Sequence, residues 1–171
     1  MKVRIASLLE SLEAEGVGFL RYPLQVVVDL EDERNPAVPM EGTFYFLREG
    51  KKFLISGTFQ GSVQLECRRC LEVFPSLLEV HIEEEGLLEA TLPPSEEEIW
   101  TEDGTWLLPL EGWLDLKELV RQHTLLALPM SPLCRPECPG LEREASPEAQ
   151  GDPRWAILGE YRRRLEEGSS A

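Results

Sequence analysis

The four cysteines of the chain stand as two close pairs, Cys67-Arg68-Arg69-Cys70 and Cys134-Arg135-Pro136-Glu137-Cys138, with none elsewhere. A C-x2-C turn aims both sulfurs at one point, and C-x3-C does the same over a slightly wider loop, so the two pairs supply four ligands for one ion. Soft sulfur at tetrahedral geometry selects Zn²⁺, or less often an iron–sulfur centre. A closed shell of four thiolates keeps no position open for water, so such a metal serves as scaffold rather than catalyst. Two other uses of the same residues stand beside this one: small buried thiols, and disulfide or redox chemistry. The opening residues MKVRIASLLESLEAE lack the apolar run of a secretory leader and meet Glu10 early, which points to a reducing cytoplasm. A thioredoxin-type pair opens a helix after a strand, whereas Cys67 ends a strand-like stretch, so the redox reading is the weaker one.

The elements that must position these pairs differ between the two halves. Val17–Leu30, with Val26-Val27-Val28, has strand composition and runs into a proline-bearing loop over 31–39. Thr43–Arg48 and Lys51–Phe59 flank Glu49-Gly50 as a hairpin, and Gly61–Glu66 continues extended to Cys67. Phe53, Ile55, Gly57 and Phe59 alternate with other residues, as do Leu78, Val80 and Ile82, in the period of a half-buried strand. Beyond them, Leu116–Leu128 repeats at helical spacing, with Asp115 placed to cap it and Pro129 to end it. His123 falls near the apolar side of that helix and reads as a face or core histidine rather than a metal ligand, as His81 does in its strand. Asp152-Pro153-Arg154 opens a second helix through Trp155, Leu158, Tyr161 and Leu165.

The predicted fold is α+β: a mainly antiparallel sheet with two helices in the C-terminal half, stapled by a four-cysteine zinc site. Residues 1–141 form the β-rich domain, and 142–171 a linker with a C-terminal helix packed on or beside it. At 171 residues the chain buries a core without help, so the metal reinforces a fold and does not create it.

Charge sets the partners. The net charge is −15, and residues 83–103 hold nine acids with no Lys or Arg, leaving 23 acidic against 17 basic residues elsewhere. This tract is expected to be an exposed, poorly packed acidic loop whose partial deletion leaves the fold intact. Overall acidity excludes a surface that grips a phosphate backbone everywhere, so any nucleic-acid contact is local. No apolar stretch is long enough for a membrane-spanning helix. No glycine-rich phosphate loop, nucleophile elbow or H-E-x-x-H is present, and nothing argues for an enzyme.

The stretch Val63-Gln64-Leu65-Glu66-Cys67-Arg68-Arg69-Cys70-Leu71-Glu72-Val73-Phe74, with Leu114-Asp115-Leu116, Leu125–Cys134 (LLALPMSPLC) and the closing Asp152–Leu158, resembles the YceD family of large ribosomal RNA subunit accumulation proteins. The blocks occur in the family's order and cover most of the chain from residue 54 onward. Many members continue past the second pair into a further cysteine-bearing stretch. Here Cys138-Pro139-Gly140-Leu141 runs into Glu142, so the two pairs are the site or there is none.

The resemblance implies a bacterial, cytoplasmic, non-enzymatic factor of ribosome biogenesis that supports accumulation of large-subunit (23S) ribosomal RNA. Its partner is then precursor RNA or an early large-subunit particle. One structural zinc ion is expected on Cys67, Cys70, Cys134 and Cys138. Arg68, Arg69 and Arg135, held in the cysteine loops, are placed for phosphate contact. Arg154, Trp155, Arg162, Arg163 and Arg164 offer a second basic and aromatic element, although cations in a last helical turn also complement the helix dipole. The rival expectation is an adaptor whose acidic tract meets basic ribosomal proteins without touching RNA. A thiol oxidoreductase is the third.

Overall fold

The structure, a computed structural model, describes residues 1–15, 18–94, 99–141, 155, 157–159 and 161–162. The chain divides into two compact units, Met1–Gly140 and Leu141–Ala171. In the first, the order is β1 (Lys2–Arg4), α1 (Ile5–Glu15), β2 (Phe19–Val28), β3 (Val38–Glu49), β4 (Lys52–Glu66), β5 (Val73–Glu89), β6 (Ile99–Trp100), β7 (Trp106–Pro109), β8 (Trp113–Asp115) and α2 (Leu116–Ala127). Six strands form one sheet in the order β2-β3-β4-β5-β7-β6, antiparallel except where β5 meets β7, and β1 pairs with β8 in a small second sheet. The fold is thus α+β and mainly antiparallel, as the alternating patterns require.

Each long strand turns one face to the core. Phe44, Phe46, Phe53, Phe59, Ile55, Val63, Val80 and Ile82 are fully or almost fully buried, at 0–1% exposure. The Phe44 ring lies 4.8 Å from Phe59 and 5.7 Å from Phe46. Glycine is needed within this face. A side chain at Gly42 would run into the Thr58 carbonyl oxygen and the Phe59 ring, and one at Gly57 would meet the Thr43 carbonyl at 3.1 Å. The backbones approach closely there, with rings covering the glycines.

Helix α2 closes over this core with Leu116, Leu119, Val120 and Thr124. Asp115 caps it, its Oδ1 accepting from the Lys117 and Glu118 N–H groups at 3.1 and 3.2 Å. His123 packs against β5: Nδ1 lies 3.1 Å from the Leu119 carbonyl oxygen and Nε2 lies 3.2 Å from Glu84 Oε1. Helix α1, which buries Ile5, Leu8 and Leu9, is an element that the sequence reading did not anticipate. The second unit contains Trp155 and the helical residues 157–159 and 161–162, whose side chains are exposed.

The acidic tract is a correction. Residues 83–89 are not loop but the last turns of the alternation in β5, and Ile82 and Leu88 are buried. Glu83 and Glu85 fall on the outer face, where solvent carries their charge, and Glu84 on the inner face meets His123. Lys52 pairs with Glu85 at 2.7 Å. Further on, Ile99–Trp100 pairs with β7, and Trp100 stacks on Trp106 at 5.7 Å. Residues 95–98 lie outside the described residues.

Candidate metal centre

The first cysteine pair sits at the tip of the β4–β5 hairpin. β4 ends at Glu66 and β5 begins at Val73, so Cys67–Cys70 occupies the reversal itself. The reversal is closed by Cys67 N–H donating to the Glu72 carbonyl and Leu71 N–H donating to the Cys67 carbonyl, each at 2.9 Å. Leu71 takes a φ of 62°, the left-handed conformation that a tight chain reversal demands. The second pair follows α2. Its loop turns at Arg135, whose carbonyl accepts from Cys138 N–H at 3.1 Å.

All four sulfurs lie within 4.8 Å of one another. Cys67 Sγ is 3.8 Å from Cys138 Sγ, and Cys70 Sγ is 3.7 Å from Cys134 Sγ. A regular tetrahedron with metal–sulfur arms of about 2.3 Å has edges of about 3.8 Å, so this spacing suits a four-thiolate shell. The cysteines are free rather than bonded in pairs, with Cys67 and Cys138 buried and the other two half-buried. The set could hold a metal ion.

The electrostatics point the same way. Backbone N–H groups of Cys134, then of Cys70 and Arg69, hold the Cys67 thiol down at about 6. At Cys70 the Glu72 N–H pulls downward, but burial and the three neighbouring cysteines outweigh it and push the thiol up to about 12. Burial also raises Cys134. One thiolate forms readily in this cluster while further negative charge is opposed. A cation among the sulfurs removes that opposition, since a coordinating thiol gives up its proton.

Arg68 and Arg69, between the first two cysteines, tie the two loops together. Arg68 donates its backbone N–H to the Pro132 carbonyl at 2.9 Å and its Nη2 to the Met130 carbonyl at 3.1 Å. Arg69 Nη1 donates to the Cys138 carbonyl at 3.0 Å. Sequence reasoning missed these bonds, because the acceptors lie more than 60 residues away and only the tertiary fold brings them into reach. Both side chains remain exposed, as does Arg135. Trp155 is 62% exposed and Arg162 is exposed, both in the second unit. Arg154, Arg163 and Arg164 lie outside the described residues. Among the described helices none is long and apolar enough to cross a membrane.

The family model described as "Large ribosomal RNA subunit accumulation protein YceD" matches residues 55–160, more than half of the chain. The match spans both cysteine pairs. An uncharacterized protein of Mycobacterium tuberculosis is 31% identical over 116 residues, covering 63% of this chain and 54% of the relative. An uncharacterized protein of Mycobacterium leprae is 30% identical over 120 residues, covering 61% and 51%. The chain therefore spans about half the length of these curated relatives. No solved structure matches it.

Proposed function

The chain belongs to the YceD family, and on that premise we propose that it is a non-enzymatic factor supporting accumulation of large-subunit ribosomal RNA in the bacterial cytoplasm. It does so by binding precursor RNA or an early large-subunit particle. The observation that carries this reading is the four-sulfur cluster with arginines fixed around it, lying within the region that the family model covers. In this reading Cys67, Cys70, Cys134 and Cys138 hold one Zn²⁺, which supplies a closed structural clamp.

The RNA contacts are then Arg68, Arg69 and Arg135. A guanidinium has five N–H donors, so spending one on a loop carbonyl leaves the rest for phosphate. Fixing the Arg68 and Arg69 side chains in advance lowers the ordering cost of their contacts. Arg154, Trp155, Arg162, Arg163 and Arg164 add a second contact element, with Trp155 supplying a face for an unpaired base. Because the chain carries −15 overall, such binding is confined to these patches and falls steeply with salt.

Affinity purification of the tagged, zinc-loaded chain followed by sequencing of bound RNA tests the proposal. Enrichment of large-subunit precursor over small-subunit precursor is expected. Equal recovery of both, or of neither, overturns it.

A further inference from the structure

Apart from the cysteine cluster, the sheet has a second unusual feature: β5 is longer than anything paired to its outer side. β4 pairs with β5 from Val73 to Leu87, whereas β7 pairs only with residues 86–89. Among the described residues no strand pairs with residues 73–85 on the far side, and no loop hydrogen bond reaches that backbone. An unpaired strand edge is a row of N–H and C=O groups ready to bond another extended chain. Pro75 lacks an N–H and blunts one end of the row. The free run is therefore 76–85, and Leu77 within it is 76% exposed.

Its side chains say what fits there. Glu79, His81, Glu83 and Glu85 alternate on the outer face, and no Lys or Arg lies between 70 and 116 in the sequence. Glu85 is engaged by Lys52, and Glu79 lies 3.7 Å from His81. Glu83 has no ion-pair partner among the described residues. A second copy of this chain is a poor occupant, because antiparallel pairing of two such edges would bring glutamates against glutamates, and each chain carries −15. RNA is disfavoured by the same charge.

We infer that residues 76–85 of β5 receive, by strand addition, an extended cation-rich segment of another protein. Its backbone completes the ladder, and Lys or Arg at alternate positions stands opposite Glu79 and Glu83. Main-chain bonds supply the affinity in such a mode and the alternating side chains the selectivity. The inference uses neither the metal nor the arginines, so it stands or falls independently of the RNA reading.

The probe is a peptide of about ten residues alternating lysine and valine, matched to the free run at roughly 3.3 Å per residue. Two further versions carry backbone N-methyl groups on alternate residues, one on each parity. Amide exchange on the full chain should slow about tenfold or more within residues 76–85 when the parent peptide binds. One N-methylated version should lose about tenfold in affinity while the other does not, because only one parity faces β5. The double substitution Glu79→Gln and Glu83→Gln should weaken binding by a similar factor without moving the thermal midpoint.

Equal binding of all three peptides would show charge attraction without strand pairing and overturn the inference. So would absence of binding at low salt, or protection located elsewhere. A chain that sediments as a dimer with these amides already protected would assign the edge to a second copy, which also overturns it.

Discussion

Arg69 of the first cysteine turn donates through Nη1 to the carbonyl oxygen of Cys138 in the second, at 3.0 Å. The two loops are therefore fastened by main-chain acceptors as well as by whatever the sulfurs bind. Arg68 adds two more bonds of the same kind, to Pro132 and Met130. Residues that the sequence offers as phosphate ligands are also structural ties.

Replacing Arg68 and Arg69 together by Ala should cost about 1–2 kcal/mol, the net value of two exposed side-chain bonds to carbonyls. Chemical denaturation of the zinc-loaded variant measures it. A variant as stable as the parent would mean that the metal alone sets the loop geometry.

The purified chain should hold one Zn²⁺, and Cys134→Ser should lower its retention against a chelator. Acid should release the ion. The Cys67 thiol is held at about 6, below the ordinary thiol value of 9.0, so its contribution is complete above 9, and is lost as pH falls through 6. Cys70 runs the other way in the metal-free chain. Its thiol is pushed up to about 12, so between 9 and 12 the unfolded state loses this proton while the folded state keeps it, and rising pH destabilises the metal-free fold. Thermal unfolding with and without zinc from pH 5 to 10 reads both signs; zinc retention that is flat on the acid side would contradict the first, and a metal-free midpoint that does not fall above pH 9 the second.

Asp115→Ala should destabilise the fold by about 1 kcal/mol through loss of the α2 cap. Burial opposes ionisation of this carboxyl, yet the N-terminal ammonium and the Glu118 and Lys117 N–H groups together hold it below the usual carboxylate range. Its contribution is therefore present above about pH 4 and disappears on further acidification. Asp115→Asn, which keeps the cap but not the charge, should retain most of the stability at neutral pH. Equal losses for both substitutions would place the effect in the charge.

Deleting residues 93–103 should lower the thermal midpoint by a few degrees. The deletion removes β6 and the stack of Trp100 on Trp106, and such a pair is worth about 0.5–1.5 kcal/mol beyond its buried area, at roughly 2–4 °C per kcal/mol for a chain of this size. An unchanged midpoint would restore the loop reading for that stretch.

The strands were legible where period two was carried by large residues, as at Phe53, Ile55 and Phe59. The end of β5 was not, because Glu83, Glu84 and Glu85 read as a charge run, although Ile82, Gly86 and Leu88 continue the inner face on the same period. Charge composition hid a register that alternation still held. Helix α1 was present as Ile5, Leu8, Leu9 and Leu12 at helical spacing, in a stretch read only for a leader. The cysteine spacing foretold the convergence of four sulfurs, since C-x2-C and C-x3-C restrict what each pair can do. The bonds from Arg68 and Arg69 to Met130, Pro132 and Cys138 had no local signal, because carbonyl acceptors are the same at every residue and only the fold chooses among them.

The central claim is that a metal-clamped pair of loops presents arginines to large-subunit precursor RNA. Filter binding of the zinc-loaded chain to a precursor transcript across a salt series tests it most directly, with Arg68→Ala/Arg69→Ala measured alongside. The account predicts a steep decline of affinity with salt in the parent and a slope shallower by about 1.4–1.8 in the double variant, because each arginine neutralises one phosphate. A parent that fails to bind at low salt, or a double variant with unchanged affinity and slope, would contradict it.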